Sequence, residues 1–127
     1  MTIGNNDEGG LREKDTKSHS RLLTKKCDIE GRVFVIELLA MSNGYFASIS
    51  EAPAPKIGAI SVSMKSQHGT ASSSLLPDRR GSIFAGMVGE LLAEKSKGIA
   101  VTSLSLREEL DTASMKMLLN ELRQLAP

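Results

Sequence analysis

SLLPDRRGSIFAGMVGELLAEKSKGIAVTSLSL, residues 74–106, is the stretch on which the fold turns. Pro77-Asp78-Arg79-Arg80-Gly81 has turn chemistry. Beyond it Phe84, Met87, Val88, Leu91 and Leu92 recur with the spacing of one helix face and predict an amphipathic helix with a single buried stripe. Lys95 and Lys97 stand where the carbonyl end of the helix dipole favours cations. Gly98 suits a left-handed residue just past the last turn. Ile99-Ala100-Val101-Thr102 then reads as a strand. A helix that runs straight into a strand lies on a sheet, and the residues upstream must supply that sheet.

They supply it in short β-like runs. Residues 1–17 (MTIGNNDEGGLREKDTK) are rich in Gly, Asn and charge with almost nothing to bury, and are expected to be a disordered tail. A single domain is expected over 18–127. SHSRLLTKKCDI is weakly strand-like, with the mixed charge of an edge. Val33 to Leu39 (VFVIELL) is the clearest strand, with the β-branched and aromatic residues a pleated surface prefers. Ser42-Asn43-Gly44 predicts a tight hairpin turn back into Tyr45–Ser50. Pro53 and Pro55 interrupt pairing. Residues 57–64 (IGAISVSM) alternate, with Ile60, Val62 and Met64 on one side. Residues 70–76 (TASSSLL) form a poorly patterned fifth strand. After Ile99 a second helix spans 111–125, capped by Asp111 or Thr112, with Met115, Leu118, Leu119, Leu122 and Leu125 inward. The expected fold is α+β: a mostly antiparallel sheet of five to six strands with two helices packed on one face.

One strand does not fit a sheet with a wet face. Along 33–39, Val33, Val35 and Leu39 point one way and Phe34, Ile36 and Leu38 the other, with Glu37 the one polar break. Such a sheet should alternate apolar and polar. Two helices cover one face. Each large apolar side chain left wet on the other forfeits about 1.5–3 kcal/mol. The loop 51–57 folded over that face would hide it; a second sheet, making it a dimer interface, is the economical cover.

Composition excludes more than it selects. Sixteen basic and fifteen acidic residues balance to +1 in 127 residues, with 3% aromatics and no Trp, so there is no basic, stacking surface for nucleic acid. No apolar run approaches the ~20 residues of a membrane helix. A polar start and one cysteine, Cys27, suit the cytosol or the nucleus and allow no intramolecular disulfide. His19 and His68 lack metal spacing, and no glycine-rich phosphate cradle precedes the helix. No catalytic, metal or cofactor residue is nominated, and an enzyme is not expected.

Three features carry a resemblance over Val33–Ala126. They are the strand pair followed by IGAISVSM, the SSSLLPD turn at 72–78, and the spacing from Leu76 through Gly86 and Leu91 to Ile99. With the C-terminal helix, they resemble the fourth proteasome assembly chaperone family. Pro77 stands where that family usually has Gly, Arg79 and Arg80 where it has Ser, Thr or Asp, and Phe46-Ala47 where a Trp is common. The resemblance implies a non-enzymatic chaperone for 20S proteasome assembly. It would pair sheet to sheet with a homologous third assembly chaperone, and the pair would bind proteasome α subunits to promote α-ring formation. It implies no cofactor, no nucleic acid and no membrane. Val33, Phe34, Val35, Ile36 and Leu38 are the candidates for the dimer face, though only one parity can face a partner. Tyr45, Ile49, Ile60 and Val62 would join them. Leu76, Pro77, Asp78, Arg79 and Arg80 are the candidates for the α-subunit contact, as an exposed charged loop. In isolation the chain is expected to be able to homodimerise. The alternative reading is a roadblock- or profilin-like interaction scaffold in trafficking or signalling.

Overall fold

The computed structural model describes residues 20–78 and 80–127. The tail expected over 1–17, His19 and Arg79 lie outside the described residues. The elements run β1 (Ser20–Ile29), β2 (Arg32–Met41), β3 (Gly44–Glu51), β4 (Ala59–Ser66), β5 (Gly69–Leu76), α1 (Ser82–Ser96), β6 (Ile99–Ser105) and α2 (Thr112–Leu125). They build one six-stranded sheet in the order β1-β2-β3-β6-β4-β5. Every pair is antiparallel except β3–β6. Both helices lie on one face, α1 over β4, β6 and β5, and α2 towards β1. This is the α+β architecture that the sequence predicts. Its strand order is not chain order, because α1 carries the chain back across the sheet and β6 enters between β3 and β4.

Local chemistry explains most boundaries and corrects some expectations. Glu30 and Gly31 both have positive φ, +53° and +85°, the two-residue turn whose twist suits a hairpin. At Ser42-Asn43 neither residue has positive φ, so the Asn-Gly signal is not that turn. Gly44 opens β3, where a Cβ would collide with the Ile99 carbonyl. Likewise the left-handed cap of α1 is Lys97 (φ 55°), not Gly98. Gly98 is needed because its backbone crowds the Asn43 carbonyl. α2 is capped as expected: Asp111 accepts from the Ser114 amide at 2.7 Å.

The buried stripe of α1 is rotated from the predicted one. Phe84, Val88 and Leu92 are buried with Ala85, Gly89 and Ala93, whereas Met87 is exposed and Leu91 half-buried. The reason is the sheet beneath. Ser61, Ser63 and Thr102 face the helix and are buried, and a Cβ on Gly89 would strike the Ser63 hydroxyl. Small residues on both sides let the helix lie close. Gly86, by contrast, faces open space, with nothing within 4 Å of where a Cβ would stand, and plays no such part. Leu118 and Leu122 of α2 complete the core.

Candidate functional site

The register resolves the two-faced strand. Even-numbered residues of β2 turn to the helices, and Phe34, Ile36 and Leu38 are 0% exposed. In register with them on the same face are Ala47 and Ile49 of β3, and then Thr102 and Leu104 of β6. Odd-numbered residues turn the other way: Val33, Val35, Leu39 and Met41, joined by Phe46, Val101, Ile60, Val62, Met64 and Leu76. β4 is inside out. Ser61 and Ser63 are buried under α1, while Ile60 and Val62 are half-buried and Met64 is 53% exposed on the uncovered side.

Nothing among the described residues covers this second face. The 51–57 loop does not fold across it, and Ile57 is 78% exposed at its margin. Phe46, at the centre of the sheet, is 51% exposed. Leu22, Leu39, Phe46, Ile57, Ile60 and Val101 line a shallow depression of about 360 Å³. Its one charged wall is Glu37. Contiguous wet apolar surface of this kind marks an interaction site.

Glu37 has a counterpart on the covered face. There Arg32 grips Glu51 with two hydrogen bonds, 2.9 Å and 2.7 Å, and donates to the Glu108 and Glu109 carbonyls at 2.9 Å and 3.2 Å. The Arg107 amide adds a third bond to Glu51 at 2.8 Å. The Arg32 guanidinium and that amide hold the Glu51 carboxyl below the usual carboxylate range, against the opposing effect of burial. Glu37 has no hydrogen bond or ion pair among the described residues.

The nominated dimer-face residues therefore divide. Val33, Val35, Ile60 and Val62 share the open face. Phe34, Ile36, Leu38, Tyr45 and Ile49 do not; they are buried among themselves and under the helices. The Tyr45 hydroxyl donates to the Pro127 carbonyl at 2.9 Å, and burial pushes its pKa up. Sequence reasoning grouped Leu39 with Val33 and Val35 but did not nominate it, and it missed Phe46 and Val101 as open-face residues. Phe46 required the register of β3 on β2, and Val101 the pairing of β3 with β6.

The turn after β5 is largely self-satisfied. Asp78 accepts from the Arg80 amide at 2.8 Å and from its guanidinium at 3.2 Å, and Ser82 closes onto the Asp78 carbonyl at 2.9 Å. Leu76 and Pro77 are exposed. Leu76 is in register with Ile60, so the open face runs on into this turn. Arg79 lies outside the described residues.

Little here can do covalent chemistry. Cys27 is buried, and burial pushes its thiol up, away from the reactive thiolate. His68 is exposed in the β4–β5 turn. Among the described residues no group of three or more His, Cys, Asp or Glu could hold a metal ion.

A sheet sealed by helices on one side and apolar on the other has the geometry of a protein-binding module. No family model matches the sequence, and no curated protein is significantly similar to it. Among solved structures, it is similar to a chain of a chaperone complex for yeast 20S proteasome assembly. The two share a TM-score of 0.62 at 10% identity, over 83% of this chain and 96% of that one. At that identity the likeness is one of fold.

Proposed function

We propose that this chain is a non-enzymatic subunit of a proteasome assembly chaperone. Its open sheet face packs against a second subunit of related fold, and the pair binds proteasome α subunits to promote α-ring formation in the cytosol or nucleus. The observation that carries the reading is the uncovered apolar face, centred on Phe46, in a fold similar to that of a chain from such a complex. The turn that follows β5, with Leu76, Pro77, Asp78 and Arg80, borders this face through Leu76. It is the candidate α-subunit contact, as an exposed loop at the rim of the dimer.

The test is affinity purification of the tagged chain from its own cells, with mass spectrometry of the bound proteins. The expected result is one small partner in stoichiometric amount together with free proteasome α subunits and without mature β subunits. A clean monomer, with neither recovered, overturns the proposal.

A further inference from the structure

Glu37 lies on the open face, among the apolar residues that a partner would cover. It is in register with Thr24 on one side and Ser48 on the other, with Val35 and Leu39 along its own strand. It walls the depression formed by Leu22, Phe46, Ile60 and Val101. Among the described residues, the cation that the register places beside Glu37 on this face is Lys26, paired with Val35, and it makes no ion pair with Glu37. Covering this face removes water from a carboxylate with no partner of its own. That costs several kcal/mol unless a cation arrives with the cover.

We infer that the occupant of the open face is a sheet of different sequence that brings an arginine or lysine onto Glu37, which makes this carboxylate the determinant of partner choice. The inference rests on the open face being the pairing surface. A second copy of this chain fits worse. A two-fold axis close to Glu37 would face it with its own copy, where like charges cost affinity, and the lysine that a copy carries on this face, Lys26, is set off from Glu37 by its register with Val35. Val33, Val35, Leu39 and Phe46 supply the area, and any apolar sheet would satisfy them. Glu37 is the group that distinguishes one apolar sheet from another.

The experiment uses the full-length chain and the partner that purifies with it, identified by mass spectrometry and then co-expressed. Binding is measured for the wild type, Glu37→Gln, Glu37→Lys and Val35→Asp. Each free variant is first shown to melt cooperatively. Glu37→Gln is expected to weaken binding at least about tenfold and Glu37→Lys more. Reversing the facing cation of the partner to Glu should restore binding to Glu37→Lys. If Val35→Asp abolishes binding while both Glu37 variants bind like the wild type, the charge inference is wrong and the face assignment survives. If Val35→Asp also binds like the wild type, the face assignment itself is wrong. A partner that proves to be a second copy of this chain overturns the heterologous pairing alone.

Discussion

The two faces of this sheet are built from the same strands, often from adjacent residues, and they behave as two different materials. On the covered face Ile36 is fully buried, the one carboxylate is gripped by an arginine, and serines sit under a helix with glycine to match. On the open face Val35 is half-buried, Phe46 and Met64 are half-exposed, and the one carboxylate near the centre has no partner. The covered face has its polar groups satisfied, the Thr102 hydroxyl excepted, and its volumes matched. The open face has aliphatic area without closure, which is how half of an interface looks before the other half arrives.

The largest expected effect separates neighbours in sequence. Ile36→Asp puts a carboxylate where no water reaches, and should cost about 4 kcal/mol or more and abolish folding. Val35→Asp, one residue away, should leave stability within about 1 kcal/mol and remove only assembly. Denaturant melts together with sedimentation of both variants decide this. Equal loss of folding in the two would erase the distinction between the faces.

The helix-to-sheet fit gives the next largest contrast. Gly89→Leu must displace Ser63 and lift α1, at a cost of about 2–3 kcal/mol. Gly86→Ala, three residues earlier and facing open space, should raise stability by about 0.5–1 kcal/mol. Opposite signs in thermal melts are the expected outcome. A loss in both would mean that α1 presents a different side to the sheet.

The two carboxylates sharpen the comparison further. Glu51→Gln should cost about 1–3 kcal/mol at neutral pH, through the lost charge on a half-buried Arg32 contact. Because its folded pKa is depressed, Glu51 contributes stability above its unfolded pKa, and that stability is lost as pH falls through the ordinary value near 4.5 and below. The variant should therefore show a flatter decline over that acid range in pH-dependent melts. Glu37→Gln should change the stability of the isolated chain by less than about 0.5 kcal/mol. The smallest effect concerns the one flaw among the polar groups of the covered face. The Thr102 hydroxyl is buried without a hydrogen-bond partner among the described residues, so Thr102→Val should gain about 1 kcal/mol in melts, with no change in partner binding.

Much of this was legible in local pattern. Val33 to Leu39 announced two apolar faces, Asp111 announced the start of α2, and the two helices on a mostly antiparallel sheet followed from the order of elements. Which parity faced out was not legible, because it depends on where the helices land, and β4 points its aliphatic residues away from them. The ISVSM alternation alone would place Ile60 and Val62 inside. The helix instead takes the serine side, since Gly89 and Ser63 allow the closer approach. The position of β6 was equally hidden. Pairing between residues as distant as Phe46 and Val101 is a long-range choice that no local window contains. Glycines misled for a related reason: Gly44 and Gly98 mark crowded backbone, not turns.

Among the described strands, β6 alone joins the three strands β1-β2-β3 to the hairpin β4-β5. Each of those units closes by short-range contacts, whereas β6 must find both edges at long sequence separation, which is slow. Its amides should be the last strand amides protected in pulse-labelled hydrogen exchange during refolding; early protection there would show another order. A partner that touches Phe46, Val101 and Ile60 together reads three strands that become neighbours only when β6 has docked. Under the proposed pairing, recruitment thus doubles as an inspection, and a chain whose last strand is missing offers the partner only a part of its surface.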